Sequence, residues 1–543
     1  MIVCIFPIFL NYIVEKILTS DSSCVILKNG DRIILQSVAR KINLPFFPWQ
    51  ICQSPGVTEK MIYSEISGKK EITLVNFNLM YARLQGMIDW QAYLPLGLLY
   101  LTSTLEREGF RVDIRDYQLQ VCKTPFDINH AVSFLDSSAD IVGFSCMANL
   151  LPFTILVAKE LKQRYPEKFI ILGGVGPSGV AHHIIEHFPF IDVVVRGEGE
   201  KTIVELIKSI SNASQLKNIK GITFRIHNEI FNNPPQERIM NLDSIPPPAY
   251  ERINFKDYDA APSIITSRGC PYKCAFCTEN TVWGHKVVFR EIRGVVEEIK
   301  ILHDKYQKNT FLIQDDNFVL HQERIFEFCD ELKKSNLNIQ WKCFGRIDLM
   351  NGELMKTMSK AGCVQIRYGI ESGSNRTLEK IDKQFTIEEA EKVVRQSLNY
   401  FPSVHTSFIY GYPLEVESME DFQQTVNKVE CFDKMGATTY LFLLSPLPEN
   451  RIYNEHKGKL DLSRELWSDF ISTGQEDRWN DINLLDKKHK PIYDLIVQYP
   501  YIFPGFYHYD WEHNVLPKLR VVKKRNLFDR KIRKIGKDYK IDL

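Results

Sequence analysis

The sequence predicts an α/β protein built from two successive rounds of strand–helix alternation, the first of them a doubly wound parallel sheet. Two observations carry this. Short apolar runs recur with helix-length amphipathic segments between most of them, from Glu71 to Val195 and again from Ser263 to Leu444. Glycine, serine and acidic residues cluster directly after those runs, where a parallel α/β sheet opens its ligand crevice.

Taken in order, residues 1–69 form an N-terminal extension without recognisable chemistry. Met1–Val14 is apolar but lacks a basic leader and a small-residue cleavage site, and it is too short to span a bilayer, so a buried strand or helix is expected. Ser23–Leu27 and Asp31–Leu35 flank Lys28-Asn-Gly30, a hairpin signal, before Pro45, Pro48 and Pro55 suggest irregular structure. Residues 70–215 then carry the first alternation. Glu71–Asn76, Arg111–Ile114, Ile141–Phe144, Phe169–Leu172 and Val193–Val195 read as strands, and Leu94–Gly109 and Phe153–Tyr165 as helices. Gly143-Phe-Ser145, Gly173-Gly-Val-Gly-Pro-Ser-Gly179 and Arg196-Gly-Glu-Gly-Glu200 close three of the strands. Glycine there lets backbone approach a ligand, and Ser145 offers a donor. Glu198 and Glu200 also suit a helix N-terminus. His182, His183 and His187 follow at helical spacing and read as surface residues, or as contacts to a ligand's tail.

Residues 216–261 read as a connector, with a hairpin at Gly221–Arg225 and Glu229–Phe231 and stiff proline runs. Within residues 262–450 stands Ser267-Arg-Gly-Cys-Pro-Tyr-Lys-Cys-Ala-Phe-Cys-Thr-Glu279. Its three cysteines, Cys270, Cys274 and Cys277, are soft ligands in one tight loop, suited to zinc or an iron–sulfur cluster. A closed zinc site needs a fourth ligand, and none follows at a zinc-finger spacing. Strands are expected at Ser263–Thr266, Thr310–Gln314, Ile339–Phe344, Val364–Tyr368, Val404–Ile409 and Thr439–Leu444, with helices such as Ile292–Tyr306, Glu323–Lys334 and Ile387–Leu398 between them. Polar segments follow these strands: Asp315-Asp-Asn-Phe318, Gly345-Arg-Ile-Asp348, Gly369-Ile-Glu-Ser-Gly-Ser374 and Tyr410-Gly-Tyr-Pro-Leu-Glu415. Turn chemistry alone also favours such residues after strands. Residues 451–543, rich in Tyr, Trp and Lys, read as an α-helical cap with aromatic core residues, the alternative being that Trp467, Trp479, Trp511 and Tyr499–Tyr509 cover the barrel mouth or bind substrate, and Lys518–Lys534 reads as a solvated basic face.

With a net charge of +1, the chain has no general electrostatic affinity for nucleic acid, and no stable membrane anchor is expected. Twelve cysteines without a secretory leader fit a reducing cytoplasmic setting, where cysteine clusters more often hold metal than form disulfides.

Arg268-Gly-Cys-Pro-Tyr-Lys-Cys-Ala-Phe-Cys277 resembles the signature loop of the radical S-adenosylmethionine (SAM) enzymes, including Phe276 before the last cysteine. Leu94-Pro-Leu-Gly97 and the three glycine-bearing strand ends, in that order, resemble the cobalamin-binding domain fused to one branch of that superfamily, and the two resemblances cover roughly Lys70 to Asn450. The resemblance implies a Rossmann-like cobalamin sheet followed by a partial (β/α)6 barrel of the TIM type. It implies a [4Fe-4S] cluster on Cys270, Cys274 and Cys277, with SAM chelated to the open iron. Asp315 and Asp316 would contact the methionine end of SAM, Glu371 and Ser372 its ribose and methionine moiety, and Tyr410–Glu415 would lie beside the adenine. Ser145, Gly173, Gly174 and Gly197 would line the lower face and tail of cobalamin.

Two departures stand out. No Asp-x-His-x-x-Gly is present, which removes a histidine ligand to cobalt, and Ser445-Pro-Leu-Pro-Glu-Asn450 replaces the more usual Pro-Gly-Thr ending. The resemblance implies C-methylation of an unactivated carbon, through a 5′-deoxyadenosyl radical and methylcobalamin that a second SAM regenerates. The same apparatus in relatives without methyl transfer performs cyclisation, ring contraction or dehydration. A cobalamin-binding sensor with a structural metal loop is the reading from another class, and the SAM-like segments after Asp315 count against it. The implied partners are an unidentified small-molecule or peptide substrate and an electron donor such as flavodoxin or ferredoxin.

Overall fold

The computed structural model describes residues 28–29, 32–33, 71–77, 81–84, 87–90, 92–120, 126–258, 260–462, 490–525 and 527. The expectations for Met1–Val14, the prolines at 45–55, Trp467, Trp479 and the far end of the basic run lie outside the described residues. Lys28–Asn29 pairs antiparallel with Arg32–Ile33, so the hairpin is present with strands of two residues. From Lys60 onward the chain forms one compact unit.

The first sheet contains β1 (Glu71–Asn76), β2 (Arg111–Asp116), β3 (Ile141–Ser145), β4 (Phe169–Gly173), β5 (Val193–Val195), β6 (Ile222–Ile226) and β7 (Glu229–Asn232). β1 to β5 are parallel in the order 2-1-3-4-5, and β6 and β7 add antiparallel on the β5 edge. The connector hairpin is therefore part of the sheet. Its Ile222 and Phe224 are fully buried, which takes that stretch out of the solvent-exposed role of a linker.

Helices cover both faces, so the central strands are apolar throughout rather than alternating. Ile72 and Leu74 pack with Leu98, Leu105 and Leu206 on one side, from helices Leu96–Arg107 and Gly199–Ser209. Val75, Phe144 and Leu172 pack with Phe153, Val157 and Ile184 on the other, from helices Leu151–Arg164 and Ala181–His187. The order reverses between β1 and β3, so the crevice at their carboxyl ends is where such sheets take ligands.

The second sheet contains β8 (Ser263–Ile264), β9 (Thr310–Ile313), β10 (Gln340–Gly345), β11 (Cys363–Glu371), β12 (Ser403–Tyr410) and β13 (Thr438–Leu443). All six are parallel and pair in chain order, with β8 and β13 left as edges, which makes an open, partial barrel. Trp341, Ile366, Tyr368 and Phe408 fill its core. Capping boxes at Thr386/Glu389 and Ser418/Asp421 start the helices Ile387–Ser397 and Met419–Met435. β8 is shorter than expected. Thr266, read as its last residue, instead donates its backbone N–H to the Asp315 carboxylate, and Ser267–Arg268 pairs with Val288–Phe289.

The C-terminal segment divides between both cores. Ile492, Ile496 and Phe503 pack against the first sheet's helices, whereas Tyr509, Trp511, Val515 and Leu519 belong to the barrel's core. One expectation is corrected here. Lys518 is not part of a solvated face: it is 0 % exposed, and its ammonium donates to the Glu417 carboxylate at 2.7 Å and the Glu417 carbonyl at 2.9 Å. Glu417 in turn accepts from the Gly411 N–H, so the pair anchors the loop after β12. Lys518→Met is expected to cost about 3 kcal/mol, because it strands a buried carboxylate. Burial already pushes the Glu417 carboxyl up, and without Lys518 it must bind a proton to stay buried. A carboxyl raised in the folded state contributes its stability below its unfolded value and loses it as pH rises. The deficit against wild type, read from urea unfolding, should therefore be smallest in acid and grow as pH rises through the raised value.

Candidate cofactor site

The cysteine loop leaves β8 at the barrel's carboxyl-end mouth, held by two acidic residues that follow β9. Asp315 is buried and accepts from Thr266 N (2.6 Å), Thr266 Oγ1 (2.5 Å) and Ser267 Oγ (2.7 Å). Its carboxylate braces the base of the loop. Asp316 accepts from the Gly269 N–H at 3.1 Å, and burial, chiefly, pushes its carboxyl up to about 7. Asn317 beside it is buried, and its side-chain amide has no protein partner.

Gly269 has φ +101°, and a side chain there would begin 2.6 Å from the Lys286 carbonyl oxygen. Gly269→Ala is expected to add about 1–3 kcal/mol of backbone strain on top of that collision. Iron retention after reconstitution and the urea midpoint should both fall.

Cys270, Cys274 and Cys277 are free thiols, each partly accessible. Burial pushes the Cys277 thiol up to about 12 and raises that of Cys270 as well, so the bare loop holds protons that metal ligation would displace. Arg346, after β10, lies 3.5 Å over the Tyr272 ring and brings its guanidinium to 3.7 Å from Cys274 Sγ. The loop's far side is tied down by Ala275 N donating to the Ile381 carbonyl and Asn450 Nδ2 donating to the Phe276 carbonyl.

Beyond the loop, Glu371 sits at φ +74° beside a register shift between β11 and β12, buried and 3.6 Å from Lys383 Nζ. Burial raises its carboxyl, with Lys383 opposing. Ser372 lies behind it, within hydrogen-bond reach of Thr425 Oγ1 at 3.2 Å. Tyr412, in the segment after β12, is fully buried with its ring 6.2 Å from Phe276, and its hydroxyl has no protein partner. The barrel mouth thus brings together the cysteine loop, Asp316, Arg346, Glu371 and Tyr412.

Across from it, the glycines of the first sheet fall into two kinds. Gly174 (φ +97°) and Gly176 pack backbone to backbone on Cys146 and Met147, where side chains would begin 2.9 and 2.6 Å from neighbouring backbone. At Gly173 and Gly197 a side chain would meet only ordinary contacts, the nearest atom 3.9 Å away. Ser145 ends β3 beside them, half-buried. Gly197 faces Val282, in the short helix that follows the cysteine loop.

Side chains join the two halves. Arg268, directly before Gly269, donates to Glu198 (3.0 Å) and Glu200 (2.6 Å), and Arg238 donates to Glu198 at 3.0 Å. Arg268 is 4 % exposed and lies over the Trp283 and Tyr100 rings. The two glutamates expected at a helix N-terminus therefore clamp the cysteine loop to the sheet. Pro448 and Glu449, in the departure after β13, approach Gly179. Sequence reasoning missed the roles of Arg268, Glu198 and Glu200. The signal was three charged residues beside glycine-bearing turns, and nothing in their spacing pairs positions seventy residues apart.

The site is thus a thiol loop at the mouth of an open parallel barrel, facing a glycine-lined crevice of a 2-1-3-4-5 sheet. It defines a class of α/β enzymes that hold a metal cluster against a second, sheet-bound cofactor. Residues 264–429 match the radical SAM superfamily, and residues 91–207 match the B12 binding domain. An uncharacterized methyltransferase of Pyrococcus horikoshii is 32% identical over 66% of this chain and 77% of its own length. The anaerobic magnesium-protoporphyrin IX monomethyl ester cyclase of Cereibacter sphaeroides is 27% identical over 68% of this chain and 61% of its own length. The solved radical SAM methyltransferase TsrM from Kitasatospora setae shares the fold, with a TM-score of 0.58 at 20% identity over 71% of this chain and 76% of that one. This chain belongs to the family of radical SAM enzymes that carry a B12-binding domain. Its cofactors are a [4Fe-4S] cluster, SAM and cobalamin, and its chemistry needs a reductant. Among the described residues no helix is long and apolar enough to cross a membrane.

The residues present fit these groups. Three free, partly accessible thiols on one loop suit a cluster with one open iron, and Gly173 and Gly197, which carry no side chain and crowd no neighbour, suit a planar macrocycle brought close to backbone.

Proposed function

We propose that this enzyme methylates an unactivated carbon of a small-molecule or peptide substrate. The observation that carries the reading is the Arg268 clamp, which fixes the thiol loop against the glycine-lined crevice and so sets two cofactor sites toward one another. When bound, the cluster and SAM supply radical chemistry and cobalamin supplies a transferable methyl group.

The protein's own part is positioning. Cys270, Cys274 and Cys277 hold the cluster, and Arg346 lies beside Cys274 Sγ. Asp316 and Glu371 are the carboxylates set to receive the SAM amine and ribose, with Asp315 bracing the loop and Ser372 backing Glu371. Gly173 and Gly197 admit the corrin ring, Ser145 donates to its tail, and Gly174 shapes the loop beside them. Residues 70–215, joined by the β6–β7 hairpin, act as the cobalamin domain. Residues 262–450 form the radical core, and the described C-terminal residues staple the two. A flavodoxin or ferredoxin is the proposed donor, and the twelve cysteines suit a cytoplasmic location.

The cyclase relative of Cereibacter sphaeroides favours a second reading, in which the same apparatus works without methyl transfer. Anaerobically reconstituted, reduced enzyme separates the two when supplied with SAM and a panel of candidate substrates. S-adenosylhomocysteine and 5′-deoxyadenosine rising together, with label from methyl-deuterated SAM in the product, supports methylation. 5′-Deoxyadenosine with an unlabelled product supports the second reading.

A further inference from the structure

Outside the crevice, on the helix Ala181–His187 that follows the glycine loop, three ligand-type side chains converge. His183 Nδ1 lies 3.2 Å from Glu186 Oε2, and His187 Nε2 lies 3.4 Å from the same oxygen. The three ligand atoms all fall within 4.8 Å of one another. Ile184 and Ile185, fully buried on the helix's other side, fix its backbone against the sheet, so the ligand face is set by the fold. Tyr501 comes from the C-terminal segment with its hydroxyl 2.6 Å from His187 Nε2 and its ring 4.8 Å from that of His183.

We propose that His183, Glu186 and His187 form a binding site for a divalent transition metal, with zinc the best match, that fastens the Tyr499–Tyr501 segment to the first sheet. The spacings carry it. Zinc binds imidazole and carboxylate at about 2.0–2.2 Å, and a tetrahedral shell of that radius has edges of about 3.3–3.6 Å. Both nitrogens meet a single carboxylate oxygen at close to that separation, His183 at a distance that also makes a hydrogen bond and His187 at one longer than the usual range. Two imidazoles and one carboxylate are a borderline set that selects zinc, copper, iron or nickel over magnesium or calcium. Metal binding at His187 Nε2 takes the place of the Tyr501 hydroxyl's hydrogen bond to that nitrogen, and a water or the shifted phenol oxygen completes the fourth position. His182 is not part of the set: only the ligand atoms of His183, Glu186 and His187 converge, while His182 Nδ1 turns to Asn232 Nδ2 at 2.8 Å.

The test uses full-length, cluster-loaded enzyme, so that the cysteine loop cannot take up zinc. After equilibrium dialysis against zinc chloride, wild type and His182→Ala are expected to retain one zinc per chain. The double variant His183→Ala/His187→Ala is expected to retain none. Loss of an outer-shell partner costs about 10–100-fold in metal affinity, so loss of a single ligand in His187→Gln should weaken zinc binding by about 100-fold or more. Zinc should also raise the Tm of wild type and leave that of the double variant unmoved. Equal zinc retention by wild type and the double variant overturns the proposal, as does loss of zinc in His182→Ala. Because His183 and Glu186 are exposed, His187→Gln and the Tm of each variant without zinc show whether folding itself has changed.

Discussion

Anaerobically reconstituted Cys274→Ala protein should fail to assemble a full cluster and should form no 5′-deoxyadenosine above background, while its fold survives. Three thiolates are the smallest set that holds a [4Fe-4S] cluster and leaves one iron open, and no other described thiol shares the loop. Cys274 is the position at which Arg346 offers its guanidinium and the Asp382 carbonyl lies 3.9 Å away, so alanine removes a ligand without opening the core. Cys431, on the helix Met419–Met435 outside the barrel, supplies the control. Cys431→Ala should match wild type in iron content and in 5′-deoxyadenosine. Wild-type turnover by Cys274→Ala would remove the thiol loop from the chemistry altogether.

Arg268→Met should cost about 3–5 kcal/mol, the range for breaking a buried ion pair by removing one partner. Glu198 keeps Arg238 and the Ile239 N–H, so the cost falls mainly on Glu200, which loses the cation 2.6 Å from its oxygen. The effect on chemistry should be uneven. Arg268 stands two residues before Cys270 and is joined to the sheet, so its loss loosens one cofactor site relative to the other more than it disturbs either. 5′-Deoxyadenosine formation should therefore persist at reduced rate while product methylation falls much further. Glu200→Gln, which keeps the size and a hydrogen-bond acceptor, should recover most of the stability. Equal losses in both products would show that Arg268 serves folding alone.

Much of the fold was legible because parallel strands buried on both faces leave continuous apolar runs, and those runs lie within a few residues of where β1 to β5 and β9 to β13 stand. The thiol loop was legible because all its donors lie within eight residues. What escaped was long-range pairing. Nothing local marks Lys518 as the partner of Glu417, or Glu198 and Glu200 as partners of Arg268, since an ion pair leaves no periodicity. Asp315 was read as a ligand contact from the family resemblance of its segment, and what the sequence did not show is that both its oxygens accept from Thr266 and Ser267. The glycines after β4 were read alike, and only close approach separates Gly174, which must pack on Cys146, from Gly173, where a side chain would meet only ordinary contacts.

The way residues 490–527 split between the two cores bears on how such an enzyme can be recombined. A chimera that exchanges only the first sheet for a relative's would inherit Ile492, Ile496 and Phe503 facing foreign helices. One that exchanges only the barrel would mismatch Val515 and Leu519. Swaps should succeed when the C-terminal piece is cut near Tyr507–Tyr509, each part travelling with the core it completes, so the modular unit here is discontinuous along the chain.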